Sequence, residues 1–101
     1  MKMTPKELVA QVDERACLDR LVDLVQHKSY TETDEERALA VHVHDIASSL
    51  GLHSELQTVE GTRVNTIATL KGEGGGSSLL FNGHLDTNPA TSGWTVDPWG
   101  G

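Results

Sequence analysis

The apolar run Leu79-Leu80-Phe81 sets the tightest limit on the fold of this 101-residue chain. A short, unbroken run of this kind is typical of a strand that is buried on both faces, in the middle of an α/β sheet. It follows a glycine-rich connector, Lys71–Ser78, and leads directly into the polar sequence Asn82-Gly83-His84-Leu85-Asp86. The run therefore predicts an interior strand whose carboxyl end carries polar side chains.

Two helical segments are predicted ahead of this strand. The first begins at the capping box Thr4-Pro5-Lys6-Glu7 and continues to about His27, with a break allowed near Arg15, where the apolar stripe shifts in phase. The second begins at the capping box Thr33-Asp34-Glu35-Glu36 and ends at Gly51 in a Schellman motif. Its apolar face is defined by four residues at helical spacing: Leu39, Val43, Ile46 and Leu50.

A β-hairpin is predicted between the helices and the apolar run. Leu52–Thr58 alternates in polarity, Val64–Leu70 is rich in β-branched residues, and Glu60-Gly61 marks the turn. A chain of 101 residues has room for one domain at most, and we expect that domain to span 1–101. Because little sequence follows Phe81 to cover a buried strand, we expect the chain to be the N-terminal part of a larger α/β protein.

The acidic composition argues against two classes of partner. Lys and Arg number 8 and Asp and Glu number 15, which gives a net charge of −7. Nucleic acids and anionic membranes repel such a surface, so we expect neither as a partner. No apolar run approaches the roughly 18 residues that a membrane span needs. Charged residues also stand where a signal peptide would be apolar, so we expect a cytoplasmic protein.

His84-Leu85-Asp86 is the strongest candidate for a functional site. Residues two apart in an extended chain project to the same side, and α/β sheets bind ligands outside the carboxyl ends of their strands. A neutral imidazole is a common zinc ligand, and a metal-bound histidine usually donates its other N–H to a carboxylate. We therefore predict His84 as a metal ligand and Asp86 as the residue that orients it. The structural alternative is a strand-end histidine held by an aspartate in a turn.

The residues around this pair resemble a known enzyme family. The segment Asn82–Pro89 (NGHLDTNP), followed by Gly93–Gly101 (GWTVDPWGG), is similar to a motif of the co-catalytic zinc peptidases and deacylases. That family is typified by acetylornithine deacetylase, succinyl-diaminopimelate desuccinylase and the glutamate-releasing carboxypeptidase. The predicted helices, hairpin and apolar strand agree with the first part of its catalytic domain. Asn88 and Trp99 depart from the aliphatic residue and the phenylalanine common at those positions, which leaves the substrate open.

The resemblance implies a fold, a chemistry and roles for two residues. The fold would be the N-terminal fragment of a three-layer α/β/α zinc-exopeptidase catalytic domain. The reaction would be metal-dependent hydrolysis of the amide bond of an N-acyl amino acid or a short peptide. His84 matches the family's first metal-ligand histidine, and Asp86 matches the aspartate that orients it and is counted as catalytic. The cofactor would be Zn²⁺, as one ion or two, or else Co²⁺ or Mn²⁺.

The resemblance also implies that this chain is inactive by itself. The family's bridging aspartate, its pair of glutamates, a further acidic ligand and a second histidine all follow the block matched here. Its smaller dimerisation domain, through which the full-length form would be a homodimer, is absent as well. Two other functions stay open. One is a truncated, non-catalytic or interaction module that binds no metal, and the other is a nucleotide-binding module that uses Gly72–Ser77, although no Lys-Ser/Thr follows that loop.

Overall fold

The computed structural model describes residues 2–101, which contain three helices followed by a β-hairpin. The elements are α1 (Pro5–Ala10), α2 (Glu14–Val25), α3 (Asp34–Ser49), β1 (His53–Glu60) and β2 (Arg63–Thr69). They fall into two compact units: the residues up to His27 together with Ser92–Gly101, and Lys28–Thr91. The described helices include none long and apolar enough to cross a bilayer. The predicted mixed α/β content, with helices before strands, is confirmed.

The first unit contains α1 and α2, where the apolar periodicity predicts one helix with a break. α1 begins at the predicted capping box, in which the Thr4 side chain accepts from the Glu7 N–H at 3.2 Å and Glu7 Oε2 accepts from the Thr4 N–H at 2.7 Å. A new helix then begins because Asp13 adopts an extended backbone and caps it, its Oδ1 accepting from the Ala16 N–H at 3.0 Å. The break therefore lies just before the predicted position at Arg15.

The apolar stripe of α1 and α2 is not buried within the described chain. Neither helix contains a buried residue, and Leu8, Val12, Leu18 and Leu21 are each more than half exposed. Within the same unit, the Gln26 side-chain amide donates to the Gly100 carbonyl at 3.3 Å. These two helices are thus supported locally by their caps, without a core of their own.

The second unit is built on α3, and both ends of this helix follow the predicted signals. Thr33 is the N-cap, and its side chain accepts a backbone N–H of the first turn. At the other end Gly51 has a φ of 82°, and its N–H donates to the Ser48 carbonyl at 3.0 Å. The Leu52 N–H donates to the Ala47 carbonyl at 3.1 Å. These two bonds form the Schellman motif expected at Gly51.

β1 and β2 pair as an antiparallel hairpin that packs on α3. The register places Leu56 opposite Thr66, and the turn lies at Gly61-Thr62, one residue beyond its predicted centre. The Thr66 hydroxyl donates to the Ala40 carbonyl at 2.6 Å, which ties β2 to α3. The core is small, and the buried apolar residues among those described are Leu39, Ala40 and Ala47.

Leu79-Leu80-Phe81 does not form the predicted interior strand. The run is irregular, and its side chains are between 78% and 86% exposed. An apolar run becomes a strand only where a neighbouring strand accepts its backbone hydrogen bonds. The sheet of the described residues consists of β1 and β2, which pair with each other. The predicted strand is therefore wrong for this chain, and His84 follows an exposed irregular segment.

Candidate functional site

His84 and Asp86 are in contact within the irregular segment that follows the exposed run. The His84 Nδ1 atom lies 3.2 Å from Asp86 Oδ1 and 2.9 Å from the Asp86 backbone carbonyl oxygen. Both contacts use the same ring nitrogen, which leaves Nε2 to bind an outside group. The His84 side chain is 84% exposed, so the ring is not buried among aliphatic groups. The structure brings together the two side chains that the sequence pairs, and their metal-binding and catalytic roles stay predictions.

Asp86 is held on its other oxygen by Thr31. The Thr31 hydroxyl donates to Asp86 Oδ2 at 2.9 Å, and the Asp86 side chain is 33% exposed. This hydrogen bond stabilises the carboxylate and lowers the pKa of Asp86 below its usual value of 3.8. Partial desolvation opposes that shift in pKa, and a protonated His84 adds to it. Asp86 is therefore ionised at neutral pH and can accept a charge-assisted hydrogen bond from the His84 Nδ1–H.

A short parallel bridge between Tyr30 and Thr87 brings Thr31 to the site. The Thr87 N–H donates to the Ser29 carbonyl at 2.9 Å, and the Thr31 N–H donates to the Thr87 carbonyl at 3.2 Å. The Ser29 hydroxyl donates to the Leu85 carbonyl at 2.7 Å, and Ser29 is only 1% exposed. The backbone at 85–87 is thereby fixed to the loop that precedes α3.

Sequence reasoning missed both Ser29 and Thr31. The one signal available was their spacing, because residues two apart in an extended chain direct their side chains to the same side. That spacing does not identify a partner, since Thr31 and Asp86 are separated by 55 positions in the chain. Only the folded unit shows that these hydroxyls meet the segment that carries the candidate site.

A charged cluster fixes the loop before α3. Arg63 donates to both oxygens of Glu36, from Nη2 to Oε1 at 2.7 Å and from Nε to Oε2 at 3.1 Å. Glu36 Oε2 also accepts from the Glu32 N–H at 2.8 Å. The Thr33 N-cap forms as predicted, but the second bond of the predicted capping box does not, because the Thr33 N–H donates to the Tyr30 carbonyl at 3.2 Å. The hydrogen bond to Glu36 is the main cause that raises the pKa of Arg63 above its usual value, and the charges of Glu32 and Asp86 add to it.

Two other features of the sequence have structural explanations or lack the necessary geometry. The His44 Nδ1 atom lies 2.8 Å from the Ser54 Oγ and joins α3 to β1. Gly72–Ser77 is exposed and irregular, and in the described chain no helix begins after it. The loop therefore lacks the helix N-terminus whose backbone N–H groups bind phosphate in known nucleotide sites.

The donors at His84 fit one ligand position of a zinc site. Nδ1 faces a carboxylate while the ring is exposed, which is the usual arrangement of a metal-bound histidine. A hydrolytic zinc ion needs about three protein ligands. In the part of the chain that the structure describes, His84 belongs to no set of three His, Cys, Asp or Glu ligand atoms close enough to share an ion. The other ligands of an ion at His84 would therefore have to come from residues beyond the described chain.

No family model matches this chain, and no solved structure matches it. The resemblance to the zinc peptidases and deacylases therefore rests on the motif residues 82–89 and 93–101 and on the order of helices and hairpin before them, because the apolar strand that was also part of it does not form.

Proposed function

We propose that this chain is the N-terminal part of the catalytic domain of a zinc-dependent hydrolase. The substrate would be the amide bond of an N-acyl amino acid or a short peptide, and the complete domain would be a three-layer α/β/α sandwich. The observation that carries the proposal is the contact between His84 Nδ1 and Asp86 Oδ1 at 3.2 Å, on a ring that is 84% exposed. This geometry supports a metal-ligand role for His84, at the position where the motif resembles the family.

The two residues would divide the work of ligand and orienting group. Asp86 holds the proton on His84 Nδ1, so that Nε2 keeps the lone pair that a metal ion needs. The ion, when bound, would supply Lewis-acid activation of the amide carbonyl and of the attacking water. By resemblance, the remaining ligands and the general base follow the matched block. We therefore expect the 101-residue chain alone to be inactive, and the full-length enzyme to form a homodimer through a separate domain.

The second candidate function is that of a non-catalytic interaction module that binds no metal. The observation that favours it is the exposure of Leu79, Leu80 and Phe81, which lie directly before the candidate site. Exposed apolar patches are common at protein–protein contact surfaces. This candidate predicts that zinc neither binds to nor stabilises any form of the protein.

The proposal is tested on the gene product that extends past Gly101. We expect the purified protein to contain about two zinc ions per chain by elemental analysis, as two-metal hydrolases do, and to hydrolyse N-acyl amino acids. His84→Ala should lose zinc and activity together, because a ligand is removed. The matched control is His53→Ala, which removes an exposed histidine from β1 of the same unit and should retain both.

Two results would count against the hydrolase. The first is an open reading frame that stops after codon 101. The second is a longer product whose zinc content is the same in His84→Ala and in the unsubstituted protein. The first result would favour the interaction module, and so would a longer product that contains no zinc.

A further inference from the structure

We propose that Thr31 is a positioning residue for the His84–Asp86 pair. The relevance of this role to catalysis rests on the proposed function. The Thr31 hydroxyl donates a hydrogen bond to one oxygen of the Asp86 carboxylate, and this bond orients the other oxygen towards the imidazole. Thr31 lies outside the motif residues 82–89 and 93–101, and the family resemblance assigns it no role. The proposal stands on contacts within one compact unit, Lys28–Thr91.

The first step of the argument is the division of the Asp86 carboxylate between two donors. Oδ2 accepts from the Thr31 hydroxyl at 2.9 Å, and Oδ1 lies 3.2 Å from His84 Nδ1. The terminal torsion of an aspartate is broad and two-fold when nothing restrains it. A fixed donor on Oδ2 removes that freedom and holds Oδ1 towards the ring. His84 is mostly exposed, and its Nδ1 also contacts the Asp86 backbone carbonyl oxygen at 2.9 Å, so the carboxylate and the carbonyl of Asp86 hold the ring together.

The second step is that Thr31 is itself fixed in place. Its backbone N–H donates to the Thr87 carbonyl at 3.2 Å, and the Thr87 N–H donates to the Ser29 carbonyl at 2.9 Å. The buried Ser29 hydroxyl adds a bond to the Leu85 carbonyl at 2.7 Å. The Thr31 hydroxyl therefore belongs to a segment that is hydrogen-bonded to Leu85 and Thr87, the residues on both sides of Asp86.

The third step concerns the residue that follows Thr31. Glu32 has a φ of 63°, the positive value that residues other than glycine adopt only when the surrounding structure holds them there. Its N–H donates to Glu36 Oε2 at 2.8 Å, and Glu36 is in turn held by Arg63 through two hydrogen bonds. The backbone on the far side of Thr31 is therefore restrained as well, and the direction of the hydroxyl is set from both ends.

The fourth step separates a positioning role from a purely structural one. The bridge between Tyr30 and Thr87 uses backbone atoms, so a substitution that removes only the Thr31 hydroxyl leaves the bridge intact. The side-chain bond of Thr31 goes to Asp86. Loss of the hydroxyl should therefore change which nitrogen of the His84 ring carries the proton, while the fold of the unit stays the same.

The test uses the 101-residue chain with ¹⁵N-labelled histidine in mildly alkaline buffer. Long-range ¹H–¹⁵N spectra show which ring nitrogen of His84 carries the proton. We expect the Nδ1–H form to dominate in the unsubstituted chain, because the carboxylate and the backbone carbonyl of Asp86 both accept that proton. Thr31→Val has the same branched shape without the hydroxyl and should shift His84 part of the way towards the Nε2–H form, because the Asp86 backbone carbonyl still accepts from Nδ1. Thr31→Ser keeps a hydroxyl and should restore the original spectrum.

The control is Thr69→Val, which removes an exposed hydroxyl from the end of β2 and should leave the His84 ring unchanged. A His84 spectrum that is identical in Thr31→Val and in the unsubstituted chain would overturn the proposal. So would an equal change in Thr31→Ser and Thr31→Val. If Thr31→Val does not fold, the unsubstituted chain decides the matter, since a dominant Nε2–H form there also overturns it.

These measurements need no metal, so their outcome is separate from that of the zinc experiment. If the His84 tautomer changes in Thr31→Val but the longer gene product binds no zinc, the positioning role is supported and the hydrolase is rejected. If zinc binds through His84 but the His84 tautomer is the same in Thr31→Val and in the unsubstituted chain, the hydrolase is supported and the positioning role is rejected.

Discussion

At the scale of single residues, the geometry of the candidate site depends on neighbours more than on the His84–Asp86 contact itself. A contact between exposed polar or charged side chains contributes little to stability and is easily lost to solvent. His84 is 84% exposed, so its contact with Asp86 alone would not hold one orientation of the ring. The hydrogen bond from Thr31 supplies the missing restraint at the carboxylate.

We expect the Thr31→Val substitution to raise the pKa of Asp86 towards its usual value of 3.8, because the hydrogen bond that lowers it is removed. A ¹³C titration of the Asp86 carboxyl measures the change. A folded-state pKa below the unfolded value stabilises the fold above the unfolded pKa, and this contribution is lost as the pH falls through the folded pKa. The stability of the unsubstituted chain should therefore fall more steeply in that acidic range than that of Thr31→Val. Equal Asp86 titration curves would contradict the prediction.

At the scale of elements, the ends of α3 show how far local sequence determines this structure. Thr33 caps the start and Gly51 closes the end through bonds that involve only nearby residues. Nothing lies within 4 Å of the position that a Cβ on Gly51 would occupy. The need for glycine there is therefore conformational and follows from its φ of 82°.

We predict that Gly51→Ala destabilises the chain by about 1–2 kcal/mol, the usual cost of a left-handed conformation for an L-residue. Gly51→Asn should cost less, because asparagine tolerates this region. Chemical denaturation monitored by circular dichroism measures the difference. The control is Gly72→Ala, at a position with open space and without a positive φ, which should leave stability nearly unchanged. A similar loss in both alanine variants would show that the Gly51 conformation is not the cause.

The sequence predicted those parts of the fold that depend on short-range contacts. The capping box at Thr4, the Schellman motif at Gly51 and the contact between His84 and Asp86 all involve residues close together in the chain. The exposed run at 79–81 was mispredicted because a strand needs a partner from elsewhere, and apolar content does not supply one. Thr31 was missed for the related reason that its partner lies far along the chain.

At the scale of the whole molecule, large apolar side chains remain exposed in both compact units. In the second unit they include Leu70, Leu79, Leu80 and Phe81, and in the first unit Leu8, Val9, Leu18 and Leu21. Apolar surface of this kind favours association because each residue gains free energy on leaving water. This exposure agrees with the proposal that the chain is one part of a larger catalytic domain.

We expect the isolated chain to bind a hydrophobic dye and to self-associate as its concentration rises, measured by fluorescence and by analytical ultracentrifugation. Leu80→Lys combined with Phe81→Lys should weaken both effects. Ser77→Lys combined with Ser78→Lys adds the same charge beside the run without removing apolar surface, and it should have a smaller effect. A monomer that binds no dye and melts cooperatively would contradict the prediction.

The separation of 55 positions between Thr31 and Asp86 has a consequence for the order of folding. Contacts that close long loops lose more chain entropy than contacts between neighbours, so they form only after local structure has reduced the remaining freedom. The packing of α3 on its hairpin uses shorter loops and can precede them. We therefore expect the contacts between 29–31 and 85–87 to form last in the folding of the second unit. An ordered candidate site would then indicate that the whole unit is folded.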